Sequence, residues 1–349
     1  MAPRRKEPDF MTQFLIIPQR HNLEESLALA KNYHLGFEFN DFYLPDVLDD
    51  ASLCEDIIAT YRSAPLPSLL TSHGDFFDVL IFSDDKEIRK ISARRIRESL
   101  DIARKVGAGS VIFHTNHNPS LKADIYVQNW LRRNTDFWNE ILTEYTDLNI
   151  YMENMFDDSP KMLEMLSLEL CKHANYGVCF DYAHAALSNV PCRDWAKTLA
   201  PFIKHVHIND NDLITDLHLA VGDGKIDWEE FISLQKEYFS DATILIETAT
   251  LENQRRSVEF LKKRHLCCGK PLTFPFFACI ITLCTGKQKQ NLITQRWESL
   301  IMFVKDVTVQ NQVGLHARPA TFFIQKANEY KSSIWIEKKE RRVNAKSLL

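Results

Sequence analysis

Six polar residues recur at one place in a repeating pattern. Successive short apolar runs close on His73, His114, Glu153, Asp181, His207 and Glu247. His184 follows Asp181 by three residues, and Asp216 and His218 lie in the stretch after His207. A charged group in a strand buried on both faces is expensive unless it is paired or bound to metal. Imidazoles set beside carboxylates make a ligand set for a divalent first-row ion, and Zn, Mn, Co, Fe and Mg all suit it. An isolated cap or core polar group is an adequate account of His73 or His114 alone, but a poor account of six strand ends in succession. His205 shares a strand face with His207 one layer deeper, which suits support better than ligation. His117 is a spare beside His114. His21, His34, His173 and His265 have no ligand company.

Eight strand-like runs are expected at 14–18, 36–40, 69–73, 110–115, 149–154, 177–184, 205–210 and 243–248. Helical patterns separate them at 24–32, 51–62, 86–106, 126–145, 160–173, 192–199, 227–239 and 251–263. The helix over 86–106 is the clearest: Ile88, Ile91, Ile102, Ala103 and Val106 form one stripe, charged residues fill the other face, and Gly107 and Gly109 close it. Its charge run reads as a solvated face. Eight strands, each followed by a helix, predict an α/β chain folded as a closed parallel (β/α)8 TIM barrel, whose strand ends meet on one rim. A doubly wound open sheet is the alternative, but no glycine-rich loop follows the first strand.

The chain has 349 residues, 45% hydrophobic and 26% charged, with formal charge -5. That balance gives no global electrostatic footprint for nucleic acid. Residues 1–11 read as a disordered tail without the apolar stretch of a signal peptide. The eight cysteines do not read as a disulfide framework in a chain this long, so a cytoplasmic setting without membrane insertion is expected.

SHGDFFD at 72–78, VIFHTN at 111–116, YMEN at 151–154, CFDYAH at 179–184, HVHIND at 205–210, DLHLAVGDGKIDW at 216–228 and LIET at 245–248 stand in order along the chain. As a set they resemble the xylose-isomerase-like barrel superfamily over residues 12–265. That superfamily includes sugar and sugar-phosphate isomerases and epimerases and also endonuclease IV. The resemblance implies a divalent metal (Mn, Mg, Co or Zn) held by Glu153, Asp181, His207 and Glu247. It further implies enediolate proton transfer on a sugar or sugar phosphate, shared between Glu153 and Glu247, with His184 orienting hydroxyls. Sugar chemistry is the preferred reading. The alternative is an endonuclease IV-like zinc-dependent phosphodiester hydrolase acting on abasic DNA. Its ligands would add His73, His114, His184, Asp216 and His218 to the same four, although CFDYAHAALSN and SHGDFFD depart from that branch. A nuclease needs basic residues on the rim loops, whereas a sugar enzyme needs a small pocket lined by aromatics. Phe76, Phe77, Trp130 and Trp228 are candidate lining, with core packing the expected role of each. VGDGK at 221–225 reads as a turn, because Asp223 would repel a phosphate.

After His265 the texture changes. Residues 266–301 hold Cys267, Cys268, Cys279 and Cys284 without zinc-ribbon spacing, and the apolar run is too short to span a bilayer. This irregular linker is expected to be translated intergenic sequence or a join between two genes; coding-type codon bias through it would refute that. From Met302 to Leu349, GLHARPA at 314–320 and the flanking strand-like and helix-like runs resemble the histidine-containing phosphocarrier protein HPr of the sugar phosphotransferase system. The resemblance implies a truncated α+β domain in which His316 carries the phosphoryl group. His316 would stand at a helix N-terminus that favours an anion, with Pro319 in the first turn and Arg318 on the phosphate oxygens. It implies enzyme I and sugar-specific enzyme II A components as partners and Ser347 as a regulatory phosphorylation site. Only about half of such a domain precedes Leu349, so a poorly functional fragment is expected.

Overall fold

The computed structural model describes residues 12–76, 78–264, 335–338 and 341–344. The first part is a closed eight-stranded barrel with every neighbouring pair parallel. In chain order it runs β1 (Phe14–Ile16), α1 (Leu23–Tyr33), β2 (Gly36–Phe39), α2 (Pro45–Asp49), α3 (Ala51–Arg62), β3 (Leu70–His73) and α4 (Lys86–Val106). It continues with β4 (Ser110–His114), α5 (Asp124–Glu144), β5 (Asn149–Glu153), α6 (Lys161–Leu170), β6 (Tyr176–Asp181), α7 (Tyr182–Leu187) and α8 (Cys192–Leu199). It closes with β7 (Ile203–Ile208), α9 (Trp228–Tyr238), β8 (Thr243–Ile246) and α10 (Leu251–Lys263).

Local chemistry sets the helix ends. Asp85 caps α4 by accepting from Glu87 N and Ile88 N, and Gly107 ends it at φ 82°, where a side chain would be strained. Asp227 and Thr250 cap α9 and α10 in the same way. The strands are short and almost wholly buried, as parallel strands covered by helices must be. Helix side chains such as Leu100, Trp130, Leu166, Trp195 and Phe231 cover the outside of the barrel and are fully buried.

Two expectations are overturned by the structure. The run at 177–184 is not one strand: β6 stops at Asp181, whose carboxylate caps α7 by accepting from His184 N at 2.6 Å, and His184 is therefore helical. Ile88 and Ile91 do not join the buried stripe of α4, being 40% and 51% exposed. Burial begins at Ser92, so the first two turns lie beyond the packed wall. The short helix α2 was not anticipated; Pro45 starts it at a position where the missing N–H costs nothing.

The second described part is a two-stranded antiparallel sheet, β9 (Trp335–Lys338) with β10 (Arg341–Asn344), paired Arg341 to Lys338 and Asn344 to Trp335. These are the two strands expected there. His316, Arg318, Ser347, Phe77, His265, residues 1–11 and the linker 266–301 lie outside the described residues. None of the described cysteines forms a disulfide. Among the described residues no helix is long and apolar enough to cross a membrane.

Candidate metal centre

Register places the ligands side by side. His114 pairs with Glu153 across β4 and β5, and Asp181 pairs with His207 across β6 and β7. Glu247 follows β8 directly, held by its N–H on Ile208 O at 2.8 Å. Asn154 clamps the ends of β5 and β6 together, donating to Asp181 O and accepting from Asp181 N, both at 2.9 Å.

Nine side chains gather into three groups, each with donor atoms within 4.8 Å of one another. The first is His73, His114 and Glu153; the second is Glu153, Asp181, His207 and Glu247; the third is His184, Asp216 and His218. Every site residue expected on the barrel thus falls in one of them, and Glu153 belongs to two. Its Oε2 lies 3.2 Å from His114 Nε2 and 3.6 Å from His73 Nε2, while its Oε1 lies 3.1 Å from His207 Nδ1. The Nε2 atoms of His73 and His114 face each other at 3.1 Å. In the third group Asp216 Oδ2 stands 3.3 Å from His184 Nε2 and 3.1 Å from His218 Nε2. His218 sits at φ 46° and is 36% exposed at the side chain, whereas His207 is fully buried.

These groups fit a cation. Glu153 Oε2, Asp181 Oδ2 and Glu247 Oε2 are buried with no hydrogen-bond partner, and the three residues gather with His207 in one group. Burying such oxygens unpaired is costly, and a positive charge among them removes that cost. The titration behaviour agrees. Burial pushes Asp181 up to about 7, with Glu247 and Glu153 adding to the rise against His184. Burial would also raise Glu153, but His207 and His114 hold it well below the carboxylate range. His207 and His184 are driven well above the usual imidazole value against burial, His207 beside Cys179 and Glu153 and His184 beside Asp181. His218 rises to about 9 against burial, chiefly through Asp216. Protons are thus retained where several carboxylates converge, and a divalent ion competes for those places.

The remaining residues sort out as follows. His117 joins no ligand group; it is buried with Nδ1 3.6 Å from Asp157 Oδ1, and burial lowers it to about 4. His205 is a layer deeper, as expected. It shares a further group with Cys179 and His207. Burial pushes the Cys179 thiol well up, however, which disfavours the thiolate a metal needs. Trp130 and Trp228 are core residues. Phe76 instead stands at the site, its ring 4.6 Å from that of His114 and 5.1 Å from those of His73 and Tyr43. VGDGK is a turn organised from beneath by buried Asp210, which accepts from Gly222 N, Ile226 N and Trp228 Nε1. A Cβ on Gly224 would come within 2.3 Å of Asn211 O, so only glycine fits there. Asp223 pairs with Arg256 at 2.6 Å.

Two residues were missed. Glu38, mid-strand in β2, is fully buried beneath His207. A carboxylate between Phe37 and Phe39 was the available signal, but it lies within a strand rather than at its end. Asp210 was quoted only as part of a motif.

Residues 30–264 match the family model described as xylose isomerase-like TIM barrel. The chain belongs to that family. An uncharacterized protein of Methanocaldococcus jannaschii is 29% identical over 204 residues, covering 55% of this chain and 68% of that one. A probable endonuclease 4 of Mycobacterium marinum is 25% identical over 224 residues, covering 59% and 82%. A solved D-tagatose 3-epimerase-like protein shares the fold, with TM-score 0.58, 24% identity, and coverage of 73% of this chain and 98% of that one. Residues 303–349 match the model described as PTS HPr component phosphorylation site. The HPr-like protein Crh of Halalkalibacterium halodurans is 50% identical there over 48 residues, which is 14% of this chain and 57% of that protein. The chain therefore spans little more than half the length of that phosphocarrier relative.

Proposed function

We propose that the barrel mouth is built to hold more than one divalent ion, and that the enzyme would use them to hydrolyse a phosphoester. The observation that carries this is Glu153, whose two oxygens face two different imidazole groups. A carboxylate so placed would suit two ions, one on the side of each oxygen. Ions held there supply Lewis-acid polarisation of a phosphoryl oxygen and a water acidified to near neutrality. Glu153 holds the inner two groups at a fixed separation. Glu247, with an unpartnered Oε2 and a side chain 13% exposed, would be the carboxylate placed to take up a proton. His184, Asp216 and His218 hold the more open side. Phe76 and Tyr43 exclude water beside His73.

The rim points away from duplex DNA. Between each strand end and the helix that packs after it, the Lys and Arg residues are Arg20, Lys122 and Lys225, and the first two face Asp41 and Asp158. Asp41, Asp75, Asp78, Asp84, Asp157 and Asp212 are among the acidic residues on those loops. Phosphate-backbone affinity requires the opposite sign. The acidic rim disfavours a polyanion, and the proposed substrate is a small phosphoester of low charge.

The sugar isomerase or epimerase reading keeps one observation in its favour: the same acidic rim and the aromatic wall at His73 suit a small, weakly charged substrate. Metal analysis of the purified protein, with hydrolysis of bis(p-nitrophenyl) phosphate and solvent-deuterium exchange into ketoses run in parallel, separates the two. Two or three ions with phosphodiesterase turnover supports hydrolysis. One ion with exchange and no hydrolysis overturns it in favour of isomerisation.

For residues 303–349 the proposed role is phosphoryl transfer through His316, with Arg318 on the phosphate, enzyme I and enzyme II A components as partners, and Ser347 as the regulatory site. Incubation with enzyme I and labelled phosphoenolpyruvate tests it: label lost in His316→Ala supports it, and unlabelled wild-type protein refutes it.

A further inference from the structure

Below the central ligands lies a polar network that the strand-end pattern does not contain. Glu38 reaches from β2 into the barrel interior and touches residues of β3 and β7. Its Oε2 accepts from Thr71 Oγ1 at 2.6 Å and lies 3.1 Å from His205 Nε2. Its Oε1 lies 3.2 Å from His207 Nε2. That contact is poorly aligned, but neither atom makes a better hydrogen bond elsewhere, the Cys179 thiol being another polar group beside His207.

A carboxylate surrounded by three such groups accepts from all of them. The ring hydrogens of His205 and His207 then stand on Nε2. His205 completes its bonding by accepting the Thr243 hydroxyl at Nδ1, 2.6 Å away. His207 cannot do the same. With a hydrogen already on Nε2, Nδ1 either donates to Glu153 Oε1, 3.1 Å away, or gives that proton up and turns its lone pair to a cation, with Glu247 Oε2 at 3.7 Å. A lone pair facing two carboxylate oxygens is a ligand array for a cation.

We propose that Glu38 is a positioning residue for the central ion: it fixes the tautomer and ring orientation of His207, so that Nδ1 joins Glu153, Asp181 and Glu247 in holding that ion. The inference rests on the reading of this group as a divalent-ion site. A carboxylate on the far nitrogen of a ligating imidazole sets which nitrogen is free and raises its basicity, and losing it costs about 10–100-fold in metal affinity. Thr71 and His205 keep the carboxylate itself in place.

The test uses the full chain as wild type, Glu38→Gln, Thr71→Val and the ligand control Glu247→Gln. Zinc content is measured by competition with a chelator, and the histidine tautomers of zinc-loaded protein are read from long-range proton–nitrogen-15 spectra. Glu38→Gln is expected to bind the central ion about 10–100-fold more weakly while the other groups keep theirs, and to lose the single Nε2–H form of His207. A merely structural role would leave that tautomer signal unmoved. Thr71→Val, which touches Glu38 but no ligand, is expected to shift affinity the same way by a smaller factor. Wild-type affinity and tautomer in both variants overturn the inference. Should Glu38→Gln fail to fold, Thr71→Val decides alone, and unchanged affinity there overturns it. If wild type takes up no zinc, or Glu247→Gln binds as wild type does, the ion-site reading fails and takes this inference with it.

Discussion

The inner and outer ligand groups are built differently. His73, His114 and Glu153 end three adjacent strands, β3 to β5, and each is nearly inaccessible. His184, Asp216 and His218 come from a short helix and from the long loop after β7, and Asp216 and His218 are 36% exposed at the side chain. The inner group is positioned by register, which the barrel enforces. The outer group depends on a loop whose anchor is Asp210. Strand-borne ligands thus come with the fold, whereas loop-borne ligands need their own supporting bonds.

The sharpest way to break this contrast is at the shared residue. Glu153→Gln should remove ions from both inner groups and lower turnover by more than about 100-fold, while the outer ion persists. Loss of the outer ion alone, by metal analysis, would reverse the assignment. Asp210→Ala should cost about 2–4 kcal/mol in urea unfolding, because buried donors lose their acceptor, and should empty the outer group while sparing the inner ones. His218→Asn should weaken the outer ion about 10-fold. Its effect on unfolding should stay within about 0.5 kcal/mol, as expected for a half-exposed side chain. Equal destabilisation by His218→Asn and His114→Asn would erase the distinction.

A pH-dependent effect concerns Asp157, behind the inner group. Burial raises its carboxyl from 3.8 to about 6, against the bond from Thr115 Oγ1 at 2.6 Å. The folded state therefore holds this proton more tightly than the unfolded chain. Its contribution is fully present below about pH 4 and is lost as pH rises through about 6, by about 3 kcal/mol. Asp157→Asn should flatten that part of the stability profile. An unchanged slope between pH 4 and 6 would remove Asp157 as its source.

Alternation of apolar runs with amphipathic ones sufficed for the barrel, and α3, α4, α8 and α10 begin and end where the sequence placed them. Six of the nine candidate ligands were legible because a charged residue closing an apolar run is conspicuous; His184, Asp216 and His218 were legible only by their company and through the family resemblance. Glu38 carries the same kind of signal at the middle of β2, where alternation points it inward between Phe37 and Phe39, and a search confined to strand ends passes over it. The helical start at Tyr182 was hidden because Asp181 serves at once as strand end, helix cap and candidate ligand. Phe76 read as core because an aromatic in a loop gives no hint of which face it covers.

The acidic rim has a kinetic consequence. A mouth lined with carboxylates gathers small cations and deflects anions over distances of about 8 Å at physiological ionic strength. Loading of the apoprotein with divalent ions should therefore slow as inert salt is added. Capture of a negatively charged substrate should quicken, the reverse of the trend shown by proteins that track a phosphate backbone.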